Sequence, residues 1–125
     1  MAYVKPGEIR IKNPAVLDAM LEKWCDPKLS GVLLYVGAAH GMVITDSYRP
    51  KTHANDVHGT DPYRGTDIRS RCYPDPQAVA DDINRRYVYD PERPAKKVAV
   101  LHDSGQGEHI HLQTHPRTAR RDDTA

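Results

Sequence analysis

Two histidines separated by one residue stand out in the segment Glu-His-Ile-His at positions 108 to 111. Alternation along a β-strand sends His109 and His111 to the same face of a sheet. Two neutral imidazoles that converge from one rigid element form half of a zinc site, and the upstream sequence offers His58 and Asp67 for the other half. This combination indicates a metalloenzyme.

A catalytic zinc ion typically has three protein ligands and a water molecule in the fourth position, and the pKa of that water falls to roughly 7. His58, Asp67 and His111 would fill the three positions. Two neutral imidazoles and one carboxylate leave a net charge of about +1 at the metal, which polarises a carbonyl and holds an attacking hydroxide. Hydrolysis of an amide is the natural use of such a site.

Amide hydrolysis also needs a base that takes a proton from the bound water and delivers it to the leaving amine. Glu108 is adjacent in sequence to the histidines, but strict alternation puts it on the opposite face from His111. The glycines of the turn at residues 105 to 107 could break that alternation, because glycine permits backbone angles that re-aim its neighbour. His109 needs no such help, so it is either a second base or the true third ligand.

A guanidinium beside the metal is one way to stabilise the negative charge of a tetrahedral intermediate. Arg49, which follows a predicted strand, is the candidate for this role, and Arg64, Arg69 and Arg71 compete with it. His102 is a candidate neighbour of the ligands, because an adjacent strand would bring it beside the site. We interpret the remaining histidines as surface or hydrogen-bonding residues.

Capping residues followed by proline, Asn13-Pro14 and Asp75-Pro76, predict the starts of two helices. The pattern predicts one helix from residue 14 to about 26, a buried helix over 32–39 and a third over about 76–88. Strands are predicted over 42–45, 65–69, 97–102 and 108–114, the last two forming a hairpin. From residue 116 the chain has no apolar anchor, and the sequence predicts a disordered tail over 116–125.

The composition fits one domain over residues 1–115, of the α+β class, with a small antiparallel sheet flanked by about three helices. Lys and Arg total 18 against 17 for Asp and Glu, and a net charge of +1 argues against nucleic-acid or membrane partners. Cys25 and Cys72 are expected to be buried free thiols. No signal sequence is recognisable, so we expect the protein to be cytoplasmic as synthesised. We also expect a monomer.

These residues resemble the D-alanyl-D-alanine carboxypeptidase family of zinc peptidases, which includes D-Ala-D-Ala dipeptidases, phage L-alanyl-D-glutamate endopeptidases and, by fold, the Hedgehog signalling domain. The resemblance covers about residues 42 to 114. Tyr48-Arg49 matches the Tyr-Arg pair of that family. His58 and Asp67 match the ligands of its Ser-x-His-x-x-Gly-x-Ala-x-Asp pattern, and residues 108 to 111 match both its Glu-x-x-His and its His-x-His form.

The resemblance implies that His58, Asp67 and His111 bind zinc, that Glu108 is the base and that Arg49 faces the substrate carbonyl or oxyanion. It also implies that His109 is a nearby residue that is either catalytic or supports a metal ligand. It implies a peptidase acting on peptidoglycan stem peptides, similar to small phage or prophage lysins that a holin releases or a virion carries. The alternative is a non-catalytic zinc-stabilised binding or structural module of the same fold.

Three departures from the family pattern concern the loop that carries the first ligand. The spacing from His58 to Asp67 is two residues longer than in the family pattern. Asp56 stands where the family has Ser, and Gly65 replaces the Ala. These changes leave the ligand assignment intact and alter the expected shape of the substrate pocket.

Overall fold

A computed structural model describes residues 3–103, 105 and 107–121 of the chain. The elements follow one another as β1 (Ile9–Ile11), α1 (Pro14–Glu22), α2 (Pro27–Ala39), β2 (Met42–Asp46), a 3₁₀ turn (Val57–Gly59), β3 (Gly65–Arg69), α3 (Pro76–Arg86), β4 (Tyr87–Val88), β5 (Ala99–Asp103), β6 (Glu108–Gln113) and β7 (Ala119–Arg120).

Each helix begins at a proline that follows a side-chain cap. The carboxamide of Asn13 accepts a hydrogen bond from the backbone of α1, and the carboxylates of Asp26 and Asp75 do the same for α2 and α3. The predicted starts of α1 and α3 are therefore confirmed. α2 begins at Pro27, ahead of the apolar run used to predict it, because Asp26-Pro27 is the same capping signature.

Five strands form one sheet in the order β1-β2-β3-β6-β5, and β4 pairs with β7 in a separate ribbon. The predicted α+β class with three helices is confirmed, as is the hairpin of β5 and β6. The sheet is mixed rather than antiparallel, because β1 pairs parallel with β2. The sequence analysis missed β1, since three residues are too few for a recognisable alternation.

The hydrophobic core lies on one face of this sheet. Ile68 of β3 and Ile110 and Leu112 of β6 are fully buried, in one cluster with apolar residues of α2 and α3. Each such side chain stabilises the fold by about 1.5–3 kcal/mol. Because side chains alternate along a strand, the intervening residues of β3 and β6 lie on the opposite face, away from the helices. The core thus fixes which residues face the other side.

The segment after residue 115 packs on the domain. Thr118 is buried and donates a hydrogen bond to the backbone oxygen of Tyr89, and Arg117 forms an ion pair with the buried Asp90. β7 then pairs antiparallel with β4. The predicted disordered tail is therefore wrong for residues 116–121, because polar contacts and strand pairing replace the apolar anchor that the sequence lacks. Residues 122–125 lie outside the described part of the chain.

Both cysteines are free thiols, as expected; Cys72 is buried and Cys25 is half-buried. Among the described residues, no helix combines the length and the apolar character needed to cross a membrane.

Candidate metal centre

Three elements bring His58, Asp67 and His111 together. His58 comes from the 3₁₀ turn, Asp67 from β3 and His111 from β6. The β3–β6 ladder places Asp67 directly opposite His111, so their side chains share the face of the sheet away from the core. One ligand atom from each of the three residues lies within 4.8 Å of the others. This group could hold a metal ion.

The carboxylate of Asp67 lies at the centre of the group. Its Oδ1 atom is 2.9 Å from Nδ1 of His111 and 3.3 Å from Nε2 of His58. Burial raises the pKa of Asp67, but the hydrogen bonds and charges of the two imidazoles outweigh burial and hold it well below its usual range. Burial lowers the pKa of His58, but Asp67 outweighs this effect and raises it above its usual value. The pocket therefore stabilises positive charge beside Asp67. Because an imidazole binds a metal only in its neutral form, metal affinity should fall as the pH drops through the raised pKa of His58.

Each of the two imidazoles faces an oxygen acceptor at both of its ring nitrogens. Nδ1–H of His58 donates to the backbone oxygen of Ser47 at 2.7 Å, which leaves Nε2 for Asp67. Nε2–H of His111 donates to Oε1 of Gln113 at 3.2 Å, which leaves Nδ1 for Asp67. The Gln113 amide is oriented by its own donation to the backbone oxygen of Lys97 at 2.8 Å.

These outer hydrogen bonds select the tautomer of each ring that turns a lone pair towards Asp67. Without a metal, both rings would need a second proton to satisfy the carboxylate. A buried and a half-buried imidazolium ion would then share one negative charge. A divalent cation held by His58, Asp67 and His111 would satisfy both lone pairs and the carboxylate together. The donor set therefore fits a metal ion.

Replacing Gln113 with alanine should weaken metal binding by roughly 10- to 100-fold, because the His111 ring loses the partner that fixes its tautomer. The measurement is the metal dissociation constant from competition with a chromophoric chelator. Gln77→Ala is the matched control, since Gln77 lies on α3 outside the cleft and its side chain donates a hydrogen bond to the exposed Asp81. Equal affinity in the Gln113 variant and the wild type would contradict this role.

Asp56 organises the loop that carries His58. Its buried carboxylate accepts hydrogen bonds from the backbone and hydroxyl of Thr52, at 3.1 and 3.0 Å, and from the backbone of His58 at 3.1 Å. Burial raises the pKa of Asp56, but these bonds outweigh it, and the net pKa lies below the usual value. Asp56 thus caps the turn that presents His58.

Gly65 lets this turn approach β3 closely. A Cβ atom at Gly65 would lie 2.5 Å from Cγ2 of Val57 and 3.1 Å from the backbone nitrogen of His58. Gly65→Ala should therefore displace the turn and lower the free energy of unfolding by about 1–3 kcal/mol, with weaker metal binding.

Chemical denaturation of the Gly65→Ala variant with and without zinc measures both effects. Gly31→Ala is the control, because a Cβ atom at Gly31 would meet nothing within 4 Å. A Gly65 variant as stable and as zinc-responsive as the control would show that the turn has room to move.

His109 lies on the same face of the sheet as the ligand group, which is the set His58, Asp67 and His111. It is two residues along β6 from His111, and its Nε2 atom is 3.7 Å from Oδ1 of Asp67. Its Nδ1–H donates to the backbone oxygen of Gly107 at 3.2 Å. This bond leaves Nε2 as a proton acceptor that faces the site.

Glu108 does not share that face in the strand register. The β5–β6 ladder runs without a shift from Ala99 opposite Leu112 to Asp103 opposite Glu108, so the glycine turn does not break the alternation. The Glu108 carboxylate accepts a hydrogen bond from Oγ of Ser70 at 3.3 Å. Glu108 nevertheless lines the same cleft as the ligand group.

Arg49 lies beside the site on the segment after β2. Its Nε atom is 3.2 Å from the Asp46 carboxylate, and its Nη1 atom is 3.5 Å from the Asp56 carboxylate. These two contacts orient the guanidinium, which lines the cleft. Of the competing arginines, Arg69 and Arg71 also line it, whereas Arg64 bonds to the backbone oxygen of Thr114.

The ligand group lies in an open cleft of about 950 Å³. His102 lines this cleft opposite His109 in the ladder, with the two rings edge to face and 4.5 Å between centroids. Sequence reasoning missed Gln113 and the Ser47 carbonyl. The alternation His-x-His-x-Gln could have placed Gln113 on the ligand face, whereas a backbone oxygen in a loop leaves no signal in the sequence.

Comparisons with protein families, curated proteins and solved structures found no match to this chain.

Proposed function

We propose that this protein is a zinc-dependent peptidase that hydrolyses amide bonds in the stem peptides of peptidoglycan. The observation that carries the proposal is the open group of His58, Asp67 and His111, with both imidazole tautomers set for metal binding. Two nitrogen donors and one carboxylate are a typical donor set of catalytic zinc, whereas structural zinc usually has four protein ligands. With three protein ligands, a bound zinc ion would have a fourth coordination position available for water or substrate.

When bound, zinc supplies Lewis acidity and lowers the pKa of a coordinated water to roughly 7. His109 is the proposed base, because it lies on the ligand face with Nε2 available as an acceptor. It would take the proton from the water and deliver it to the leaving amine. Glu108, to which the resemblance assigns this role, is the second candidate. In the strand register it lies on the opposite face of β6 from His109 and His111.

Arg49 is proposed to stabilise the oxygen of the substrate carbonyl as negative charge develops on it. Its guanidinium is held in the cleft by Asp46 and Asp56, so little reorganisation is needed when the charge forms. A planar guanidinium also presents several donors to one oxygen.

The substrate class depends on the resemblance to the D-alanyl-D-alanine carboxypeptidase family. That resemblance includes Tyr48-Arg49, the order of His58 and Asp67 along the chain and the late His-x-His segment, whereas the spacing from His58 to Asp67 is two residues longer than in the family. A cleft of about 950 Å³ is large enough for several residues of a peptide. A small lysin that reaches the cell wall through a holin or in a virion is the biological setting we propose.

The test is incubation of the zinc-loaded protein with purified peptidoglycan and synthetic stem peptides, followed by mass spectrometry of newly formed amino termini. We expect cleavage that stops when zinc is removed and returns when zinc is restored. A protein that binds one zinc ion, gains stability from it and cleaves none of these substrates would instead be a zinc-stabilised module. The 3.7 Å distance from His109 to Asp67 favours that second candidate, since His109 could become a fourth ligand.

A further inference from the structure

Arg69 lies on the same face of the sheet as Asp67 and has no ionic partner among the residues that the structure describes. It pairs with His109 in the β3–β6 ladder, two residues along β3 from Asp67, and its side chain lines the cleft. Within residues 3–103, 105 and 107–121, no carboxylate forms an ion pair with Arg69. Arg49, by contrast, contacts two carboxylates. A half-buried guanidinium in a substrate cleft is a ready donor to an anion.

The charge balance of the cleft favours an anion near Arg69. Lys12, Arg71 and Lys96 line the cleft as well, and none of them forms an ion pair with a carboxylate of the described residues. Four carboxylates also line the cleft: Asp67 contacts the two imidazoles, Asp46 and Asp56 contact Arg49, and Glu108 accepts a hydrogen bond from Ser70. A bound divalent ion would add further positive charge. With five Lys or Arg side chains and four carboxylates in its lining, the cleft would have a formal charge of about +3 once a divalent ion is bound.

We propose that Arg69 binds a carboxylate of the substrate, so that the preferred substrate is a peptide with a negative charge close to the cleaved bond. This inference rests on the proposed peptidase function. Two residues along a strand span roughly 7 Å, so Arg69 is one or two peptide residues away from a carbonyl at the metal. The carboxylate is either the free C-terminus of the peptide or an acidic side chain.

Two matched peptide pairs distinguish these sources. In the first pair, one peptide has a free C-terminal carboxylate and the other has an amidated C-terminus. In the second pair, one peptide has an acidic side chain near the cleaved bond and the other has the corresponding amide. We expect zinc-loaded wild type to show a kcat/KM roughly 10- to 100-fold higher for the carboxylate form of one pair. Arg69→Gln should lose this preference through a higher KM, and Arg69→Lys should retain part of it.

Arg10→Gln is the control for loss of one positive charge, because Arg10 lies on β1 outside the cleft and pairs with Glu8. It should keep the full preference. Equal rates for both members of both pairs in the wild type would overturn the role of Arg69. Loss of the preference in Arg10→Gln as well as in Arg69→Gln would also overturn it, since the effect would then come from overall charge.

A binding measurement separates this inference from the proposed function. The same peptide pairs, made with a reduced CH₂–NH bond at the cleavage position, are titrated into zinc-loaded protein by calorimetry. Tighter binding of the carboxylate form that is lost in Arg69→Gln supports the anion site even if no peptide is cleaved. Cleavage without any difference in binding between the carboxylate and amide forms supports the peptidase and overturns the anion site.

Discussion

His58→Ala should abolish stoichiometric zinc binding and reduce peptide hydrolysis to background. The imidazole of His58 is buried and offers one of the three protein donor atoms. Its loss would leave two protein donors, which should bind zinc much more weakly. Elemental analysis after dialysis should find one zinc ion per chain in the wild type and almost none in the variant. Zinc at 1,000 times its dissociation constant should stabilise the wild type by about 4.1 kcal/mol and leave the variant unchanged.

His102→Ala is the matched control for ligand removal. His102 lines the same cleft but does not belong to the ligand group, so this variant should keep its zinc. Full zinc content in His58→Ala would show that the ligand set is wrong. The same conclusion would follow if Asp67→Asn retained the metal while His109→Ala lost it.

His109→Ala should keep one zinc ion per chain and lower kcat by roughly 10²- to 10⁴-fold, the usual contribution of a general base. The reason is the position of Nε2, which faces the site while Nδ1 donates to Gly107. Steady-state kinetics on a stem peptide, with zinc content measured on the same sample, separate the effect on proton transfer from an effect on metal binding.

Glu108→Gln is the informative comparison for the His109 variant. We expect a smaller loss of kcat, because the Glu108 carboxylate bonds to Ser70 and lies on the alternate side of β6. A loss larger than that of His109→Ala would assign the base to Glu108, as the resemblance implies. Loss of zinc from His109→Ala would make His109 a ligand and would favour the zinc-stabilised module.

Local signals account for most of the elements that were predicted correctly. Proline after a capping side chain marks the start of a helix because the first helical residues lack intrahelical acceptors. Asn13 and Asp75 mark the starts of α1 and α3 in this way. Asp26 marks the start of α2, although the sequence analysis predicted that helix to begin at residue 32. Pairing between segments that are distant in the chain has no such local signal, and β1 and β7 were missed for that reason.

The sequence by itself determined the residue types of the site and the face that each strand residue occupies. Alternation along β6 separates His109 and His111 from the buried Ile110 and Leu112, because the strand must place its apolar residues in the core. The same alternation separates Glu108 from His111, and the glycine turn did not change it.

Only the tertiary structure decided which side chains meet. The β3–β6 register sets Asp67 opposite His111 and Arg69 opposite His109, and the close approach of the turn at Gly65 brings in His58. These contacts depend on strand register and on packing between segments far apart in the chain, which residue types and local spacing do not specify. The hydrogen bonds that set the imidazole tautomers have the same origin, because they require Ser47 and Gln113 to be within bonding distance of the rings.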